Sequence, residues 1–121
     1  MTTPESKTDA LYEQLLSASR QAFTEEGYET AYHALTAAMH RARDLQSFSL
    51  LHDLVQEANT QKNELDRIHP THILSSSSAQ KRGNVSLYYS LVQQIETVLR
   101  LFKVQDDVAH LREREKDLRQ Q

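Results

Sequence analysis

Two histidines lie close together in a segment that also contains carboxylates, so metal binding is the first chemistry to consider. His69 and His72 are three positions apart, and imidazole nitrogens at such a spacing can bind one zinc ion. Further ligands would have to come from Glu64 or Asp66, and the spacing requires neither of them. His69 can instead stabilise the negative end of a helix dipole. We therefore expect no metal site here.

A second pair of histidines is too far apart to bind one metal ion. His33 and His40 are seven residues apart on a predicted helix, and Asp44 follows one turn later. Seven residues span about 10.5 Å along a helix axis, which is too far for one ion. An exposed polar stripe is the expected arrangement, and no cofactor is predicted for the chain.

A run of serines followed by basic residues has the composition of an anion site. Serine hydroxyls, free backbone N–H groups at a helix start and two cationic side chains suit phosphate. The run lacks the glycines of a Walker loop, and serines are equally common in flexible loops and helix caps. An anion- or partner-binding loop is therefore an alternative function, and its candidate residues are His69, His72, Ser75, Ser76, Ser77, Ser78, Lys81 and Arg82.

The composition favours a helical protein. The chain has 121 residues, no cysteine, two glycines and two prolines. This length is typical of one domain, and so few turn residues disfavour all-β folds. The absence of cysteine excludes disulfides and thiolate–metal sites. We therefore predict an all-α fold, an antiparallel bundle of about four helices in a single domain spanning 1–121.

The charge and hydropathy patterns argue against nucleic-acid and membrane partners. The net charge is −3, and basic residues are interspersed with acidic ones, whereas a nucleic-acid-binding surface concentrates positive charge. The first 25 residues contain no apolar run of seven or more, and no segment approaches the roughly 18 apolar residues of a membrane span. A cytoplasmic location is the resulting prediction.

Helical segments follow from apolar residues that recur at three- and four-residue steps. Thr3 and Pro4 have the pattern of a helix start, and Gly27 is expected to supply the left-handed residue that ends the first helix. Ser47 is the expected N-cap of a third helix, although one bent helix of about 40 residues is an open alternative. The predicted segments are helices 4–26, 28–45, 47–69 and 86–118, a serine-rich loop 70–85 that could include a helical turn around Ser78–Arg82, and a charged end 112–121.

The first helical hairpin resembles a tetratricopeptide repeat over residues 16–38, which is less than one full repeat. In that family, large apolar residues and an aromatic residue on the first helix precede a glycine–aromatic turn, and small residues space out the second helix. Ser19 stands where the family prefers leucine, and Arg20 stands where it prefers a small residue. The resemblance implies a binding scaffold, and its roles would fall to Leu16, Phe23, Gly27, Tyr28, Ala31, Leu35 and Ala38.

The last predicted helix is longer than the core that the other three can cover. Its outer part still carries apolar residues at helical spacing, which indicates a surface for a second copy or for another protein. Because no residue set positions a nucleophile or a general base, we predict that the protein is not an enzyme. The sequence therefore favours a protein–protein interaction or assembly module, with the possible interface residues Leu101, Val104, Val108, Leu111 and Leu118.

Overall fold

A computed structural model describes residues 9–120, and it contains five α-helices and no strand in that range. The predicted all-α class is therefore confirmed. Four helices are long, and one short helix lies within the segment that was predicted as a serine-rich loop. The helices are α1 (Ala10–Thr24), α2 (Tyr28–Asp44), α3 (Phe48–Ile68), α4 (Ser76–Lys81) and α5 (Leu87–Arg119).

The start of α1 is held by Asp9. This carboxylate accepts a hydrogen bond from the backbone N–H of Tyr12 at 2.9 Å and so caps the helix. It also pairs with Arg41 near the end of α2, through contacts of 2.9 and 2.7 Å. The ion pair therefore joins the beginning of α1 to the end of α2, as an antiparallel hairpin requires. The helix start predicted at Thr3 and Pro4 lies outside the described residues.

The turns after α1 and α2 have the same construction. Glu26 (φ 65°) and Gln46 (φ 51°) both adopt the left-handed conformation. After each of them, a backbone N–H reaches back to the last turn of the preceding helix: Gly27 N–H to Ala22 O at 2.7 Å, and Ser47 N–H to Ala42 O at 3.1 Å. These are Schellman-type helix ends. The prediction that Gly27 is the left-handed residue is wrong, because Gly27 has φ −87° and is the N-cap of α2.

The long helices pack in two close pairs, α1 with α2 and α3 with α5. In the second pair, Phe48 at the start of α3 contacts Phe102 of α5 edge to face, whereas Gln61 further along α3 contacts Tyr88 near the start of α5. The two helices are therefore antiparallel. The side chains that fill the core come from all four long helices: Tyr12, Leu16, Leu35, Met39, Leu51, Leu54, Leu65, Tyr88, Leu91 and Ile95.

The starts of α3 and α5 are capped by serines. Ser47 accepts from the backbone N–H of Leu50 at 3.2 Å, and α3 begins at the next residue, Phe48. At the start of α5, the hydroxyl of Ser86 accepts a hydrogen bond from the backbone N–H of Tyr89 at 3.0 Å. A serine hydroxyl can satisfy a backbone N–H that lacks a partner within the helix. The break at 45–47 therefore separates α2 from α3, and the structure does not have one bent helix there.

Candidate functional site

The two loop histidines pack against an aromatic ring of α2. The rings of His69 and His72 lie 5.6 and 5.1 Å from that of Tyr28, measured between centroids. His69 is the C-cap residue of α3, and the Nδ1 atom of His72 accepts a hydrogen bond from the backbone N–H of Leu74 at 3.0 Å. One of the two nitrogens of His72 is therefore used within the chain. Both side chains help to fix the segment after α3.

The serines of the predicted anion loop make hydrogen bonds within the chain. Ser75 is fully buried, donates to the carbonyl of Pro70 at 2.6 Å and caps α4 by accepting from the backbone N–H of Ser78 at 3.1 Å. Ser76 gives both its backbone N–H (2.8 Å) and its hydroxyl (2.7 Å) to the two carboxylate oxygens of Asp66. The start of α4 thus already faces a negative charge, which comes from α3. Ser77 is exposed.

The two basic residues of the loop lie at the opposite end of α4 from this carboxylate. Lys81 is the last residue of α4, and Arg82 is its C-cap. Arg82 donates to the carbonyl of Ile73 at 3.1 Å, and both basic side chains are exposed. Six helical residues span about 9 Å along the axis. The loop is therefore ordered, but its two basic side chains do not lie beside the serine hydroxyls at the N-terminus of α4.

The histidines on α2 remain apart from one another. His33 and His40 are both exposed, as is Asp44. In residues 9–120, no three or more histidine and carboxylate side chains form a group that could hold a metal ion.

A buried chain of polar side chains crosses the core and was not predicted as a unit. Ser19 of α1 donates to the carbonyl of Ala31 on α2 at 2.7 Å and accepts from Nε2 of Gln61 at 3.0 Å. Gln61 lies on α3, and its Oε1 atom accepts from the hydroxyl of Tyr88 on α5 at 2.8 Å. These hydrogen-bonded side chains therefore link α1, α2, α3 and α5. Burial raises the pKa of the Tyr88 hydroxyl well above its ordinary value. Throughout the described part of the chain, no fully buried side-chain nitrogen or oxygen lacks a hydrogen-bond partner.

This buried polar chain reaches the surface through Glu57. The carboxylate accepts from Nε2 of Gln61 at 3.0 Å and from Arg20 at 3.0 and 3.1 Å. An open groove of about 500 Å³ between α1 and α3 lies over these residues, with Tyr12 and Asp53 also in its lining. Burial, with a smaller contribution from the charge of Asp53, raises the pKa of Tyr12 to about 12. The groove is polar, and Arg20 and Glu57 already pair with each other inside it.

The outer half of α5 leaves the rest of the protein. Every residue from 103 to 120 is exposed, whereas Phe102 still packs against the core. On this half, the side chains of the predicted interface are between 39% and 70% exposed. They lie roughly 140° around the helix from the residues that α5 buries, such as Leu91 and Ile95, if each residue turns the helix by about 100°. These exposed apolar residues, called the outer stripe below, are Leu101, Val104, Val108, Leu111 and Leu118.

Comparisons of the chain with protein-family models, with curated proteins and with solved structures find no match. Among the described residues, no helix combines the length and the apolar character needed to cross a membrane.

Proposed function

We propose that this protein is a protein–protein interaction or assembly module that uses the outer half of α5 as its contact surface. The observation that carries the proposal is the outer stripe itself, five exposed apolar side chains on one face of the outer part of α5. An aligned row of exposed apolar residues is characteristic of a surface that another helix covers. An isolated helical segment of this length is marginally stable in water, so a partner would also stabilise it.

The proposed role includes no catalysis. The buried polar side chains Ser19, Gln61 and Tyr88 satisfy one another and a backbone carbonyl, which is the arrangement of a structural hydrogen-bond network. The α1–α2 hairpin that resembles a tetratricopeptide repeat is consistent with a scaffold that presents helices to a partner.

An anion-binding loop remains the alternative function. Its serines already cap α4 and bind Asp66, so an anion would have to displace that carboxylate or bind beside Lys81 and Arg82. A titration with inorganic phosphate, with the midpoint of thermal unfolding as readout, tests this alternative. A rise that saturates with phosphate, and that disappears in the variant Arg82→Gln, would support it.

The main proposal can be tested by photo-crosslinking in the cells from which the protein comes. A photoreactive phenylalanine analogue replaces Leu111 on the outer stripe or, as a matched control, Glu113, which lies on the opposite face of the same helix. We expect a discrete crosslinked product from position 111 and none from position 113. If position 111 gives no product in cells that contain the folded protein, the proposed function is wrong.

A further inference from the structure

The spacing of the outer stripe is that of a coiled-coil seam. From Leu101 the apolar residues follow after three, four and three residues, and then after seven, at Leu118. A heptad repeat has two seam positions, called a and d, at alternating steps of three and four. Leu101 and Val108 then occupy a positions, and Val104, Leu111 and Leu118 occupy d positions. Glu115 takes the remaining a position.

The partner helix has free access to this seam. The seam lies on the far side of α5 from the side chains that the core buries, such as Ile95 and Phe102. A second helix can therefore lie along residues 101–118 without displacing α1, α2 or α3. The seam is about 27 Å long at 1.5 Å per residue, which is enough for two and a half heptads.

The charges beside the seam indicate what the partner is. One edge of the seam carries Asp107 and, seven residues later, Arg114, both at heptad position g. When two copies of this helix run antiparallel, g positions face g positions. With Val108 opposite the partner's Leu111, Asp107 faces the partner's Arg114, and Arg114 faces the partner's Asp107. This g edge is therefore complementary in charge to the same edge of a second copy after a two-fold rotation.

A parallel pair would bring like charges together. In that arrangement Glu115 would face the partner's Glu115 inside the seam. Beside the seam, repulsion between Arg114 and the partner's Arg119 would offset the attraction between Asp107 and the partner's Arg112. The antiparallel arrangement instead places Glu115 opposite the partner's Val104. Glu115 already forms an ion pair of 2.6 Å with Arg119 of its own helix, which directs its carboxylate to the edge.

We propose that the partner is a second copy of this chain and that the outer halves of two α5 helices pair as an antiparallel coiled coil. This inference rests on the proposed function. Leu101 then lies opposite the partner's Leu118 at both ends of the seam. Two and a half heptads form a small interface, so we expect a weak dimer with a dissociation constant on the order of 10 μM.

Disulfide trapping tests both the partner and its direction, because the natural chain has no cysteine. Leu101→Cys and Leu118→Cys are prepared separately, one of them with a short tag that changes its mobility. They are then mixed at about 100 μM, above the expected dissociation constant, in a glutathione buffer. We expect a disulfide between the two different variants and almost none within either variant alone. Glu113→Cys mixed with Leu101→Cys is the control, since position 113 faces away from the seam.

The other outcomes overturn the inference in different ways. If Leu118→Cys alone forms a covalent dimer, the helices are parallel. If no mixture forms a disulfide and light scattering shows a monomer at the same concentration, the partner is not a second copy. Crosslinking at position 111 to a different protein would then leave the proposed function intact, and the absence of any crosslink would contradict both.

Discussion

The hydroxyl of Tyr88 donates a hydrogen bond of 2.8 Å to the side-chain oxygen of Gln61, and both residues are almost completely inaccessible to solvent. In the variant Tyr88→Phe this oxygen stays buried without a donor. We expect the free energy of unfolding to fall by about 1–3 kcal/mol. Urea denaturation followed by circular dichroism measures the change. Tyr89→Phe is the matched control, because Tyr89 is 47% exposed and should change stability by less than about 0.5 kcal/mol.

The same network predicts how two substitutions combine. Ser19→Ala removes an acceptor for Gln61, and Tyr88→Phe removes the donor to the other end of the same amide. Because both act through Gln61, the double variant should lose less stability than the sum of the two single losses. Strict additivity would mean that Gln61 does not couple the two sites.

The sequence contained a visible sign of this network, but not its connections. Ser19 interrupts the apolar stripe of α1, and Gln61 lies between Ala58 and Leu65 where the stripe of α3 needs an inward-facing residue. A polar residue on a buried face shows that a hydrogen-bond partner must exist. It does not show which helix supplies that partner, because this depends on how the helices cross.

The helices themselves were largely predictable, since apolar periodicity and serine caps are local properties of the chain. The turn after α1 was less so. Glycine is the usual left-handed residue at a helix end, and Gly27 was therefore assigned that role. In the structure the left-handed position falls one residue earlier, on Glu26. The serine-rich loop was predicted from composition alone, and composition could not reveal that Asp66 in α3 holds the start of α4.

The left-handed residues Glu26 and Gln46 offer a simple route to a more stable protein. A side chain with a Cβ atom in this conformation costs roughly 1–2 kcal/mol, and glycine avoids that cost at the expense of greater freedom in the unfolded chain. We expect Glu26→Gly and Gln46→Gly each to raise the free energy of unfolding by about 0.5–1 kcal/mol. Gly83→Ala should lower it, because Gly83 has φ 77°. Chemical denaturation of the three variants measures these changes, and a loss of stability in both glycine variants would contradict the argument.

The ion pair between Asp9 and Arg41 makes stability depend on pH. The Arg41 hydrogen bonds, with help from the Tyr12 backbone N–H, lower the pKa of Asp9 from 3.8 to about 2. Because the pKa of Asp9 is lower in the folded state, ionised Asp9 contributes fully to the free energy of unfolding well above pH 4, and this contribution is lost as the pH falls through 2. Asp9→Asn keeps the helix cap but removes the charge. The difference in unfolding free energy between wild type and Asp9→Asn should therefore shrink from pH 5 to pH 2. A difference that stays constant over this range would show that the charge of Asp9 is not responsible.

A single charge reversal distinguishes whether the two α5 helices of the proposed dimer run antiparallel or parallel. In the antiparallel pair, Arg114→Asp places two carboxylates opposite each other at two points along the g edge, because Asp107 of one copy faces position 114 of the other. Each exposed pair is worth roughly 0.2–1 kcal/mol, so the dissociation constant should rise about two- to thirty-fold. In a parallel pair the same change would remove a clash with the partner's Arg119 and strengthen the dimer. The sign of the effect therefore distinguishes the two arrangements.

Sedimentation equilibrium at low ionic strength measures this effect, and two further variants make it specific. Lys116→Asp changes the net charge by the same amount at a solvent-facing position and should leave the dissociation constant nearly unchanged. Adding Asp107→Arg to Arg114→Asp exchanges the two charges, which restores both antiparallel pairs and should recover most of the lost affinity. In 1 M salt, where charges are screened beyond about 3 Å, the dissociation constants of the variants should approach one another. A weakening that the double variant does not reverse would contradict the pairing of Asp107 with the partner's Arg114.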